Sequence, residues 1–122
     1  MKKENVILEK SFKFAIKVIE FYRYLCDSKK EYVLSKQLLR SGTSIGANVN
    51  EAQAAQSKND FISKMSIASK EARETKYWLD LLIATGYMNL DRMDTRFLSE
   101  EVDNIINLLT KIVKTGRKNE TH

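Results

Sequence analysis

Apolar residues recur along this chain at steps of three and four, the spacing that lines one face of an α-helix. Over residues 5–26, Leu8, Phe12, Ala15, Ile19, Tyr22 and Cys26 form one such stripe, and Phe14, Val18, Phe21 and Leu25 form a second beside it. One stripe is enough to bury a helix in a small core. Two predict a wide apolar face whose excess is covered by another subunit. The polar run Asp27-Ser28-Lys29-Lys30 closes this first helix.

A second helix is expected over residues 31–56, with Leu34, Leu38, Ile45 and Ala52 on its stripe. Its middle, Ser41-Gly42-Thr43-Ser44-Ile45-Gly46-Ala47-Asn48, is poor helix-forming sequence. Each glycine there costs about 1 kcal/mol relative to alanine. A loop between two shorter helices is one reading. The apolar phase runs unbroken from Leu38 through Ile45 to Ala52, which favours a continuous or slightly kinked helix. Gly42 and Gly46 would then leave one flank bare for the close approach of another helix.

Ser57-Lys58-Asn59-Asp60 reads as an N-cap with an acid three positions on. The helix it opens carries Phe61, Met65, Ala68, Ala72, Leu79 and Leu82 on its stripe, and Gly86 supplies an ending that tolerates positive φ. Asn89 or Asp91 can cap a fourth helix with Leu98, Val102, Ile105, Leu109 and Ile112 facing inward. Gly116 is expected to stop it, leaving Arg117 to His122 as a frayed tail. Short connections make sequence neighbours antiparallel. The pattern therefore predicts an all-α chain, one domain over residues 1–122, folded as an antiparallel up-down-up-down four-helix bundle.

Composition sharpens this. With no proline and four glycines, the chain lacks the turn residues of a many-stranded sandwich or barrel. The single Cys26 has no partner for an internal disulfide, so a reducing cytoplasm is the expected location. Charges at Glu9, Lys10 and Lys13 deny the start of the chain an uninterrupted apolar run, so neither a signal peptide nor a membrane span is expected.

Lysine and arginine number 21 against 16 acidic residues, a net charge of +5. In the expected topology the excess gathers at one end, where ten basic residues face five acidic ones. Among them, Lys3, Lys10, Lys13, Lys111, Lys114 and Lys118 are the candidate nucleic-acid-binding residues. Symmetric assembly would multiply that field.

Chemistry of other kinds finds little support. His122, the only histidine, ends the chain, and Cys26 has no histidine to activate it. Zinc-ligand spacing and the Glu-x-x-His pairs of di-iron bundles are absent, and Gly42 to Gly46 lacks the lysine and the preceding strand of a phosphate loop. No catalytic, cofactor-binding or metal-binding residue, and no cofactor, is expected. One polar cluster stands out: Ser44, Asn48, Glu51, Glu71 and Glu74. Asn48 falls on an apolar stripe, and an unsatisfied buried amide costs about 1–3 kcal/mol. Glu71 and Glu74 are expected to accept its hydrogen bonds, making a structural polar layer that fixes helix register. A ligand or metal site built from these carboxylates is the alternative. Tyr77 and Trp78 read as core or subunit-interface aromatics.

The stretch Gln37 to Glu51, centred on Ser44-Ile45-Gly46-Ala47-Asn48-Val49-Asn50-Glu51, resembles the Ser-Ile-x-x-Asn-Ile-x-Glu core of the four-helix-bundle proteins associated with 23S ribosomal RNA intervening sequences. Ile67 to Leu79, with Lys70-Glu71-Ala72-Arg73-Glu74-Thr75, is similar to the family's second signature, and Gly86-Tyr87 fits its closing turn. Ala52 departs from the family's usual glycine. The resemblance covers nearly the whole chain and implies a ring-like homo-oligomer, a pentamer. It also implies kinship with the accessory protein of diversity-generating retroelements, a basic pentamer that associates with a reverse transcriptase and nucleic acid. By that analogy the expected partners are RNA or DNA and a protein such as a reverse transcriptase. The functional expectation is a non-enzymatic oligomer that binds nucleic acid through a basic surface. Its alternative is a structural or protein-interaction scaffold with no nucleic-acid role.

Overall fold

A computed structural model of the chain describes residues 3–120, with side chains from residue 6 to residue 118. Four helices account for most of it: α1 (Lys3–Asp27), α2 (Leu34–Ala52), α3 (Lys58–Ala84) and α4 (Met93–Glu120). The chain is all-α, consistent with a bundle, and no strand occurs among the described residues. The helices pack in cyclic order, α1 on α2 and α4, and α3 on α2 and α4.

The core runs the length of this arrangement. Phe14, Leu25, Leu38, Ile45, Met65, Leu79, Leu82, Leu98, Ile105 and Leu109 are at most 1% exposed. The stripes expected for α2, α3 and α4 supply most of it, with Leu34 and Phe61 only partly buried at the edge. In α1 the assignment of stripes reverses. Phe14, Val18, Phe21 and Leu25, joined by Ile7 and Ser11, face inward. The stripe with Leu8, Phe12 and Cys26 lies at the margin, and Phe12 is 68% exposed. The cause sits on α2. A Cβ at Gly42 would meet the Val18 methyls at 2.9 Å, and one at Gly46 would meet the Ser11 backbone oxygen at 3.3 Å. The two glycines thus let α1 press its Ser11–Val18 side into a continuous α2.

The expected start of α2 also shifts. Lys30 takes a left-handed conformation (φ 56°), and Glu31 stays outside the helix. Its buried carboxylate accepts from the backbone N–H groups of Val33, Leu34 and Ser35 at 3.2, 3.1 and 2.7 Å. One side chain thereby satisfies several of the donors that a helix start leaves open. At the other end the helix stops at Ala52 rather than Gln56, and short turns lead to Ser57.

Ser57 caps α3 as expected, its Oγ accepting from the Asp60 N–H at 3.0 Å. The exit from α3 is a Schellman motif: Gly86 has φ 86°, its N–H donates to the Ile83 carbonyl, and the Tyr87 N–H donates to that of Leu82. Neither expected cap of α4 holds. Asn89 spends its side-chain oxygen on the Asp91 N–H, building the turn before the helix. Asp94, in the first helical turn, accepts instead from Arg92 and the Thr95 N–H. Gly116 does not stop α4 either. The helix continues to Glu120, and a Cβ at Gly116 would stand 2.8 Å from Ile62, so the glycine is a packing notch between α3 and α4. Arg117 and Lys118 are therefore helical, and His122 lies outside the described residues.

Candidate nucleic-acid interface

The basic candidates divide by location. Lys10 Nζ lies 3.2 Å from Glu101 on α4, and Lys13 lies 2.8 Å from Glu9 one turn back. The Glu9 carboxylate hydrogen-bonds Lys13 and holds its ammonium above the ordinary lysine range. These two charges are balanced where they stand. The side chain of Lys3 lies outside the described residues. Lys111, Lys114 and Lys118 share one flank of α4, where they and Thr115 line a shallow recess of about 500 Å³.

Beside that flank the α3–α4 seam opens into a groove of about 380 Å³ lined by Ser66, Ser69, Lys70, Arg73, Thr110, Val113, Lys114 and Arg117. Four of these side chains are cationic and none is a carboxylate. Arg73 Nη2 donates across the seam to Thr110 Oγ1 at 3.2 Å, and Arg117 Nη2 donates back to Ser66 Oγ at 3.3 Å. A third link, Lys76 to Asp103 at 2.6 Å, continues the series. Partners descend along α4 as they ascend along α3. Sequence reasoning overlooked Lys70 and Arg73. Their signal was the repeat of cations three apart, Lys70/Arg73 and Lys114/Arg117, each pair on a single helical face with hydroxyls interleaved.

The polar cluster does not assemble as a layer. Ser44 Oγ donates to the Arg40 carbonyl at 2.7 Å, and Asn48 Nδ2 donates to the Ser44 carbonyl at 2.9 Å, both within α2. Glu51 is exposed. Glu71 and Glu74 turn instead to the Arg40 guanidinium, a charged partner that outcompetes a neutral amide, and Glu74 also accepts from Trp78 Nε1 at 3.0 Å. Asn48 is only half-buried, so its own helix suffices to satisfy it. Among the described residues no group of three or more His, Cys, Asp or Glu side chains is placed to hold a metal ion.

Trp78 packs against the core, whereas Tyr77 is 57% exposed. Phe12 borders a groove of about 630 Å³ between α1 and α2, shared with Leu8, Ala15, Thr43, Gly46 and Ala47. No helix among the described residues is long and apolar enough to cross a membrane.

Four helices in cyclic contact, with a groove of four cations along the α3–α4 seam, define a small all-α protein. The sequence model of the 23S rRNA-intervening sequence proteins matches residues 3–111, and the chain belongs to that family. A crystal structure of a protein of unknown function from the S23 ribosomal protein family of Bacteroides thetaiotaomicron VPI-5482 is similar, with a TM-score of 0.87 and 49% identity. The match covers 93% of this chain and 99% of that one. No curated protein matches the chain.

Proposed function

We propose that this chain is a non-enzymatic, oligomeric protein that associates with nucleic acid through a basic surface and docks a partner enzyme, such as a reverse transcriptase, on the assembled ring. The observation that carries the reading is the α3–α4 seam, where four cations line one groove without a carboxylate. A phosphate backbone is the polyanion that such a surface attracts without reading sequence.

The reading takes the single domain as an antiparallel up-down-up-down bundle, and the opposed order of the α3–α4 contacts supports that topology. Phe12, exposed beside an apolar groove, supports self-association, for which the family resemblance suggests five subunits and kinship with the retroelement accessory protein. Cys26 as an unpaired thiol suits the cytoplasm. Light scattering after size exclusion, with and without a structured RNA, tests the reading at about 150 mM salt, where the Debye length is about 8 Å. A homo-oligomer that gains mass with RNA is the expected result. An oligomer indifferent to RNA would instead favour the scaffold reading, for which the Phe12 groove is the supporting observation.

A further inference from the structure

The α3–α4 groove has an internal geometry that a merely basic surface lacks. Ser66 and Arg73 are seven residues apart on α3, as are Thr110 and Arg117 on α4. The cross-seam bonds Arg117–Ser66 and Arg73–Thr110 therefore form two rungs about 10 Å apart along the groove, at 1.5 Å per residue. Lys70 and Lys114 sit between the rungs, one from each helix. Each guanidinium is steered by a neutral hydroxyl and, among the described residues, makes no ion pair, so its remaining N–H groups stay available as a fork for phosphate oxygens.

Resting on the nucleic-acid reading, we propose that this groove seats one strand of the sugar-phosphate backbone of duplex RNA, with the rungs on separate phosphates and the lysines on the backbone between them. Three features select that ligand. None of the lining residues is aromatic, so the groove lacks the stacking platforms that usually hold unpaired bases of a single strand. The groove is lined by two rigid helices, which suits the fixed phosphate spacing of a duplex. Ser66 and Ser69 add hydroxyls beside the cations, and the 2′-hydroxyls that A-form RNA displays in its shallow groove are their natural partners.

The test is fluorescence anisotropy with a labelled RNA duplex of about 16 base pairs, a span typical of shape-reading RNA domains. Wild-type protein is compared with Arg73→Ala/Arg117→Ala, with Arg73→Lys/Arg117→Lys, and with Lys29→Ala/Lys36→Ala, which removes the same charge from the first connection and the start of α2. Matched elution volumes and helical content establish that each variant folds. The alanine pair is expected to weaken binding about tenfold at moderate salt and to lower the steepness of log K against log salt by about two. The lysine pair should keep the wild-type slope with part of the affinity, and the Lys29/Lys36 variant should bind like wild type. If wild type binds while the alanine pair retains full affinity and slope, the groove assignment falls and the broader reading stands. Tighter binding of an unpaired strand, or equal binding of duplex DNA, overturns the duplex-RNA assignment. If wild type binds no nucleic acid even at low salt, both the assignment and the reading beneath it fall.

Discussion

Gly42 of α2 seats directly on Val18 of α1: a Cβ built on the glycine would lie 2.9 Å from both valine methyl carbons. Val18 is fully buried, and its β-branched side chain has one strongly preferred rotamer in a helix, so it cannot swing clear. The contact sets how closely α1 and α2 approach and which side of α1 faces the core.

Gly42→Ala therefore opposes two effects. The helix gains about 1 kcal/mol of propensity, while overpacking a tight core typically costs about 1–3 kcal/mol. With both methyls inside the contact limit, the strain wins, and thermal unfolding should move down by a few degrees. Val18→Ala in the same chain should make Gly42→Ala neutral or favourable. A stabilised single variant would contradict this account of the α1–α2 contact.

Glu31→Ala removes the carboxylate that accepts three N–H groups at the start of α2. Losing a helix cap typically costs about 0.5–2 kcal/mol, and the burial of Glu31 puts this case toward the upper end. Urea unfolding should show a lower midpoint with an unchanged slope. Glu31→Gln, which keeps one acceptor, should fall between.

The number of helices and the inward faces of α2, α3 and α4 were legible because Leu38, Met65 and Leu98 lie on uninterrupted three-and-four patterns. The inward face of α1 was not, since its two stripes have the same period and the choice is made by Gly42 and Gly46 on another helix. Glu31 was hidden for a different reason: glutamate is not among the favoured N-cap residues, and its capping depends on Lys30 entering left-handed space. The groove joins Lys70 and Arg73 to Lys114 and Arg117 across about 40 residues, and only the register of α3 against α4 brings them together. Asn48 misled because helical phase placed it on the apolar stripe, while Arg40 drew Glu71 and Glu74 away from it.

Acid should loosen the start of α4. The Arg92 guanidinium, hydrogen-bonded to Asp94, holds that carboxyl below its ordinary range against an opposing contribution from burial. A depressed folded-state value means that Asp94 contributes its full stability above the unfolded carboxylate value of about 3.9. The contribution is lost as pH falls from there through the folded value. Asp94→Asn should lower stability at neutral pH and flatten the acid side of the stability profile. An unchanged profile would remove the Arg92–Asp94 pair from the account.

Phe12 stands 68% exposed on α1 beside the apolar α1–α2 groove. On the proposed self-association, Phe12→Asp should lower the mass seen in light scattering while leaving helical content and unfolding temperature near wild type. An unchanged mass would put the subunit contact elsewhere.

The most direct test of nucleic-acid association is the affinity of wild-type protein for duplex RNA across a salt series from about 50 to 200 mM. Log K is expected to fall linearly with log salt, with a slope of about −2.8 to −3.6, reflecting four phosphates neutralised by Lys70, Arg73, Lys114 and Arg117 at about 0.7–0.9 per contact. A flat dependence, or no binding at the low-salt end, would contradict it.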